Sequence, residues 1–508
     1  MNNQNLIIFN TIVLYGRMVF SAVVILLSTR IVLQELGASD YGIYNLMVGV
    51  ISMLSFLNAA MSAATQRFLS YALGKGEGSK DVFYYSIILH LLIAVIVVVV
   101  IEMGGHLFLH YLLNIPIDRI TTAHRIIDML SVGMAFTIIS VPYDGVFNAR
   151  ENMLVVSLIG CLESCLKLTA ALIIMFVANI DKLFLYALLM CIVPAISFLT
   201  KKVYCNIKYA ETKYKFKRIT DFSLFSSIYT FAGWNLVGAI SSVVRSQGYA
   251  VLFNMFGSVV LNAAYGIANQ VNSQISFFSD TVIKALRPQI TISEGMGNRA
   301  RMLRLSNIAS KIPFILLLMV AMPIMVETDF ILKLWLGDVP QYSKEMVQLT
   351  LLITLTALMT KGTQIAVEAV GNIKWFQILV GGLHFFAIPL GYVMMRCGIP
   401  PYLALTGILL EEITGSIIRV IITNRVTGLN IKGFVAGVLC RNVIMLVLLL
   451  GIGTIIVSLI PYGIYRVLFV IVCSVVLCLG FGYLIGLTSS EKSTVKQIIS
   501  NINNKIRK

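Results

Sequence analysis

The chain has 508 residues, of which 58% are hydrophobic and only 12% charged. A water-soluble protein carries about 25% charged residues, so a soluble globular domain is excluded. Apolar runs recur from end to end and make this an all-α polytopic membrane protein. The net charge of +16 does not call for nucleic acid, because the Lys and Arg residues gather in loops that the topology puts on one side. There they set orientation and attract anionic membrane lipid.

The first long apolar run, Asn10 to Leu33, is long enough to cross ~30 Å of hydrocarbon as a helix. It also carries Arg17 and Arg30. Asn10, Arg17, Ser21 and Ser28 follow at spacings of 7, 4 and 7 and so share one helical face. A guanidinium stays charged in hydrocarbon and is costly there. The stripe is therefore expected to face protein or a watery cavity. No basic n-region or cleavage site precedes this run, so it is expected to persist as a signal-anchor.

Fourteen apolar segments follow the chain at about 10–33, 41–65, 82–103, 122–143, 153–178, 183–204, 222–246, 256–282, 306–326, 344–367, 374–396, 402–423, 433–459 and 463–487. An even number puts both termini on one side. The basic groups Arg67–Lys75–Lys80, Arg150, Lys201 through Arg218, Lys284 through Arg304, Arg425–Lys432 and the tail Lys492 to Lys508 then share one face. The positive-inside rule makes that face cytoplasmic. The opposite loops carry isolated basic residues such as Arg119 and Lys182. The longest connections, near 205–221 and 283–305, are too short for a folded domain. The expected organisation is an N-terminal lobe at 1–208, a C-terminal lobe at 209–428, two additional spans at 429–490 and a basic cytoplasmic tail at 491–508.

The eight cysteines are scattered, mostly inside apolar runs, where a thiol acts as a small hydrophobe. Cys161 and Cys165 lack neighbouring His or carboxylate in a metal-binding spacing, so no metal and no cofactor is expected. His90 and His384 stand alone on apolar helices and read as core.

Span seven repeats the pattern of span one, with Asn235, Gly238, Ser242 and Arg245 on one face. Span eight aligns Asn269, Ser273, Ser276, Asp280 and Lys284. Glu163 and Lys167 stand one turn apart on span five, either as a local ion pair or as a site for a coupling proton or sodium ion. Asp280 and Lys284 have the same two readings. Lys361 and Glu368 lie toward the inner end of span ten, while Glu411, Glu412 and Arg419 lie in span twelve. Arg30 is near the outer boundary, where a lipid headgroup is as good a partner as a cavity. Arg17 and Arg245 lack a carboxylate within one turn, and intramembrane charge points to function. Arginine grips phosphate through paired hydrogen bonds. Arg17, Arg245, Arg30, Asn235 and Asn269 are thus the candidate headgroup residues, with Glu163, Lys167 and Asp280 as candidates for ion coupling.

Enzyme signatures are absent: there is no GxxxxGK[ST] loop, no HExxH and no GxSxG, so the chain reads as a non-enzyme. Around the first turn it carries Ser28-Thr29-Arg30-Ile31-Val32-Leu33-Gln34-Glu35-Leu36-Gly37-Ala38-Ser39-Asp40-Tyr41-Gly42-Ile43-Tyr44. This stretch, with Asn10 and Arg17, the span number and the basic mid-chain loop, resembles the polysaccharide transporter (O-antigen flippase) family of the multidrug/oligosaccharidyl-lipid/polysaccharide exporter superfamily. The resemblance implies two six-helix lobes around a central cavity, in the bacterial inner membrane. It implies transfer of undecaprenyl-diphosphate-linked oligosaccharide by alternating access, coupled to a proton or sodium gradient, with polysaccharide polymerase and chain-length proteins as partners. The rival readings are a drug or metabolite antiporter of the same fold, a lipid II flippase, and a membrane polysaccharide polymerase.

Overall fold

The computed structural model describes residues 3–52, 55–111, 119–177, 180–213, 221–256, 259–488 and 491–492. The basic residues Lys215, Lys217 and Arg218, and the tail from residue 493 with Lys496, Lys505, Arg507 and Lys508, lie outside them. The described residues hold seventeen α-helices and no strand. These are α1 (Asn3–Ser52), α2 (Ser55–Lys75), α3 (Ser79–Tyr111), α4 (Ile120–Ala149), α5 (Met153–Phe176), α6 (Lys182–Lys208), α7 (Phe222–Phe256), α8 (Val259–Gly295) and α9 (Arg299–Val326). They continue with α10 (Thr328–Leu336), α11 (Ser343–Leu358), α12 (Lys361–Val370), α13 (Lys374–Arg396), α14 (Leu405–Thr427), α15 (Ile431–Phe434), α16 (Cys440–Leu459) and α17 (Ile464–Phe481). All eight cysteines are free.

Among the described residues ten helices are long and apolar enough to span a membrane, or eleven if α11 and α12, bent by 43°, form one span. Over their described residues the fourteen segments expected from sequence are mainly helical, but not all pass as spans. In α14, Glu411, Glu412 and Arg419 break the apolar run. α8 is rich in amides and hydroxyls, and segment 41–65 is divided between α1 and α2. The turn expected after the first span is a break inside α1. Gly37 has φ 74°, a left-handed conformation that a side chain would resist.

The chain divides into two compact units, one of residues 1–240 and 291–298, the other of 241–290 and 299–508. The division falls inside α7 and α8, whereas the sequence placed it in the loop before α7.

The core of the first unit joins α1 (Val32, Met47), α3 (Val97, Ile101), α4 (Ile126, Ile138) and α6 (Leu183, Ala187). Val95, Ile96 and Val99 on the outer face of α3 are exposed, an apolar stripe suited to lipid. Ion pairs stitch one end of the unit. Arg119 reaches both Asp40 at 2.8 Å and Asp181 at 3.2 Å, and Lys182 reaches Glu35 at 2.8 Å. The break at Gly37 and the starts of α4 and α6 therefore share that end, as alternating spans require. Asp181 also caps α6 by accepting from the amides of Leu183 and Phe184, which satisfies donors that a helix start leaves open.

In the second unit α16 and α17 pack against α9. Asn442 donates to the Ser310 carbonyl at 3.1 Å and Ser474 to that of Met319 at 2.8 Å. Two ion pairs lie beside this packing, one buried and one partly buried. Lys311, only 2% exposed, donates to Glu491 at 2.9 Å. Arg466 donates to Glu327 at 2.7 Å. Removing one member of a buried pair typically costs about 3–5 kcal/mol, while replacing both with apolar residues is near neutral. Glu327→Leu should therefore lower the melting temperature of the purified protein by many degrees, and adding Arg466→Met should recover most of the loss in the same thermal unfolding assay.

Candidate functional site

In the first unit the polar stripe of α1 meets one face of α5. Ser164 donates to Ser21 at 2.9 Å. The Arg17 guanidinium lies directly over Gly160, where any Cβ would collide with it. At the end of the stripe, Asn10 donates to the Glu151 carbonyl at 3.1 Å. Glu151 sits in a left-handed conformation, φ 56°, in the turn between α4 and α5, so Asn10 ties down that turn. Ser28 bonds back to the Val24 carbonyl. Among the described residues no carboxylate lies within 4 Å of Arg17.

Gly160, Glu163, Ser164 and Lys167 share that α5 face. Beyond it α4, α5 and α6, with Val48 of α1 and Asn58 of α2, line an open cavity of about 460 Å³ whose charged lining is Asp144, Glu163, Lys167 and Lys201. Lys201 Nζ reaches Asp144 at 3.0 Å and Glu163 at 3.9 Å. Ser197 donates to Glu163, and Ser140 to Asp144 at 3.5 Å. Pro194 is part of the wall and has no N–H, which frees the Met190 carbonyl four residues back from its helical bond. One ammonium thus serves both carboxylates. Lys167 remains on the wall, with no carboxylate within 4 Å among the described residues. The volume falls in the range of small-molecule sites, ~300–1,000 Å³.

The second unit holds a different charged group, fully paired. Arg245 on α7 donates to Glu411 at 2.7 Å and lies 3.7 Å from Glu412. His384 on α13 pairs with Glu411 through Nδ1 at 2.7 Å. Arg419 donates to Glu412, and to Thr360 at 3.2 Å. Further along, Glu368 accepts from Gln364 at 2.8 Å and pairs with Arg287 at 3.3 Å, while Lys361 donates to Gln364 at 3.0 Å.

The residues singled out from sequence are distributed as follows. Arg17, Glu163 and Lys167 come together on the α1–α5 face and the cavity behind it. Glu163 is held by Ser197 and Lys201, in place of a local pair with Lys167. Arg30 is exposed. Asn235 is buried and bonds to the Phe231 carbonyl of its own helix. Arg245 has no acid within one turn on α7, yet it is matched by Glu411 and Glu412 from α14, so its charge is not free. Asn269 is exposed and hydrogen-bonds Tyr265. Asp280 is exposed and Lys284 extends over the Phe277 ring; the two do not pair. His384, taken as core, is part of the charged group.

Sequence reasoning missed Asp144, Ser197 and Lys201. Lys201 was counted with the loop lysines, but it lies inside α6 with its side chain 12% exposed. The available signal was Asp144 at the edge of an apolar run, an acid facing a basic helix end.

Residues 17–168 match the MatE family model. A search of curated protein sequences finds no match. Among solved structures the chain is similar to a multidrug resistance MATE family transporter of the MOP superfamily in an outward-facing conformation (TM-score 0.70, 14% identity, 85% of this chain and 97% of that one). It is also similar to a MOP superfamily transporter from Pyrococcus furiosus described as having a binding pocket of reverse polarity (TM-score 0.70, 13% identity, 85% and 97%). A third is the MATE transporter ClbM in complex with Rb+ (TM-score 0.67, 14% identity, 85% and 96%). The fold is that of the MATE transporters.

The pairing of Arg245 is open to a double-mutant cycle. Arg245→Ala and Glu411→Ala should each lower the melting temperature, and the double variant should melt well above the sum of the two losses, with a coupling of about 1–3 kcal/mol.

Proposed function

We propose that this chain is a membrane transporter that carries an anionic amphiphile by alternating access, with a polyprenyl-diphosphate-linked oligosaccharide as the substrate class. The observation that carries this reading is a local surplus of positive charge where the α1–α5 face adjoins the cavity, three cations against two carboxylates. The cavity lining holds two ammonium and two carboxylate groups, and Arg17 adds a guanidinium on the adjoining helix face. Among the described residues of this site, Lys167 and Arg17 are the two cations with no carboxylate within 4 Å, and they are the ones proposed to bind phosphate oxygens. The cavity has room for a diphosphate and an adjoining sugar. The polyprenyl tail would remain in lipid and the rest of the glycan outside this pocket. Asp144, Glu163 and Lys201 form the proposed coupling group, since one ammonium shared by two carboxylates changes its pairing when a proton or a monovalent cation arrives. Asp280 remains a separate proposed carboxylate on α8.

A second reading, an antiporter of cationic drugs, is favoured by the same two carboxylates and by the fold shared with the multidrug resistance MATE transporter. It assigns substrate binding to Asp144 and Glu163. The similar structure from Pyrococcus furiosus, described as having reversed pocket polarity, is an instance of pocket polarity differing within this fold.

The two readings separate in proteoliposomes. If the anionic reading holds, Lys167→Ala and Arg17→Ala should each slow translocation of a fluorescent polyprenyl-diphosphate sugar about tenfold or more, the worth of one charge-assisted hydrogen bond. Both variants should insert normally. Unchanged translocation in the double variant, together with gradient-driven efflux of a cationic dye abolished by Asp144→Asn, would transfer the assignment to the antiporter.

A further inference from the structure

A second group of ionisable side chains lies between α3 and α4, away from the cavity. Glu102 and His106 stand one turn apart on α3, and His124 and Asp128 one turn apart on α4. His106 Nε2 lies 3.2 Å from Glu102 Oε2 and 3.1 Å from Asp128 Oδ1. The two carboxyl groups are also within hydrogen-bonding reach of one another. On its other side His106 Nδ1 faces His124 Nδ1 in direct contact, with the two rings stacked at 4.7 Å. Ser131 donates to Glu102 Oε1.

This arrangement leaves charge unbalanced. Two carboxylates converge on a single imidazole nitrogen, and among the described residues no Lys or Arg comes within 4 Å of either. Arg125, the nearest basic residue along α4, extends over the Phe184 ring of α6. Carboxylates this close resist being charged together, and a divalent cation removes that conflict. The ligand atoms of Glu102, His106 and Asp128 all lie within 4.8 Å of one another, close enough to bind one ion. Their side chains are 34%, 35% and 43% exposed, so an ion can reach them.

We propose that Glu102, His106 and Asp128 bind one divalent transition-metal ion, Zn2+ in preference to Mg2+ or Ca2+, and thereby clamp α3 to α4. A nitrogen ligand among two oxygens suits Zn2+, whereas Mg2+ and Ca2+ favour oxygen alone. Three protein ligands leave a fourth position for water. With Nε2 on the metal, His106 donates Nδ1–H to His124, and Ser131 holds Glu102. Such outer partners fix the orientation of the residues that touch the ion.

The test uses the full chain, purified in detergent with any His tag removed. Titration with ZnCl2 should show one saturable site with a dissociation constant of about 10 μM or tighter and a rise in melting temperature that MgCl2 does not produce. His106→Ala and Asp128→Asn should each weaken Zn2+ binding by at least about tenfold, and His124→Gln by about 10–100-fold through loss of the outer partner. Absence of saturable Zn2+ binding, or unchanged affinity in both His106→Ala and Asp128→Asn, overturns the proposal. Should those variants misfold, modification of the wild-type histidines by diethylpyrocarbonate decides the matter: Zn2+ must protect His106, and equal modification with and without the metal overturns the site.

Discussion

Matching buried charge governs this structure. An ionised side chain on a helix surrounded by apolar neighbours has little solvent to lean on, and its stability then depends on what the next helix supplies. Arg245 on α7 meets Glu411 and Glu412 on α14, and Arg419 meets Glu412 within α14, so that requirement is satisfied. Lys311 with Glu491 and Arg466 with Glu327 do so around α9. The pairs Arg245–Glu411, Lys311–Glu491 and Arg466–Glu327 each join residues distant in sequence, so electrostatic matching acts as a long-range specification of which helices pack together.

Where matching is incomplete, chemistry becomes available. Lys201 divides its charge between Asp144 and Glu163, and Lys167 stands beside them without an acid among the described residues. Glu102 and Asp128 show the opposite imbalance, with acid in excess over the imidazole between them. With Arg17 on the adjoining helix face counted, the first site carries one positive charge in excess; that surplus and the negative one lie on different faces of α4 in the same unit. Each calls for a counter-charge from outside the chain.

The fold class was legible because hydrocarbon imposes a length and a composition on every span, and both are written into the sequence. The stripe on α1 was equally legible, since helical spacing alone puts Asn10, Arg17 and Ser21 on one face. Its partner was not. Nothing local indicates that Ser21 meets Ser164 or that Arg17 rests on Gly160, because those contacts depend on how α1 and α5 pack. Arg245 makes the point more sharply. Its own helix offers no acid within a turn, and its apparent freedom vanished once α14 was in place. Lys201 failed for the converse reason, as a basic residue near a helix end reads as loop until the helix is seen to continue to Lys208. The count of spans exceeded what α8 and α14 support, because helices lined with polar or charged side chains keep helical spacing while losing the apolar run that marks a span.

The ion pairs that join Arg466 of α17 to Glu327, just past α9, and Glu491 to Lys311 within α9 bear on biosynthesis. Glu327 and Lys311 are synthesised long before Arg466 and Glu491 emerge from the ribosome, so for a time both are charges without counterparts in a membrane. A product that terminates before Arg466 keeps them that way permanently. A chain cut there is thus destabilised by the very residues that stabilise the finished one.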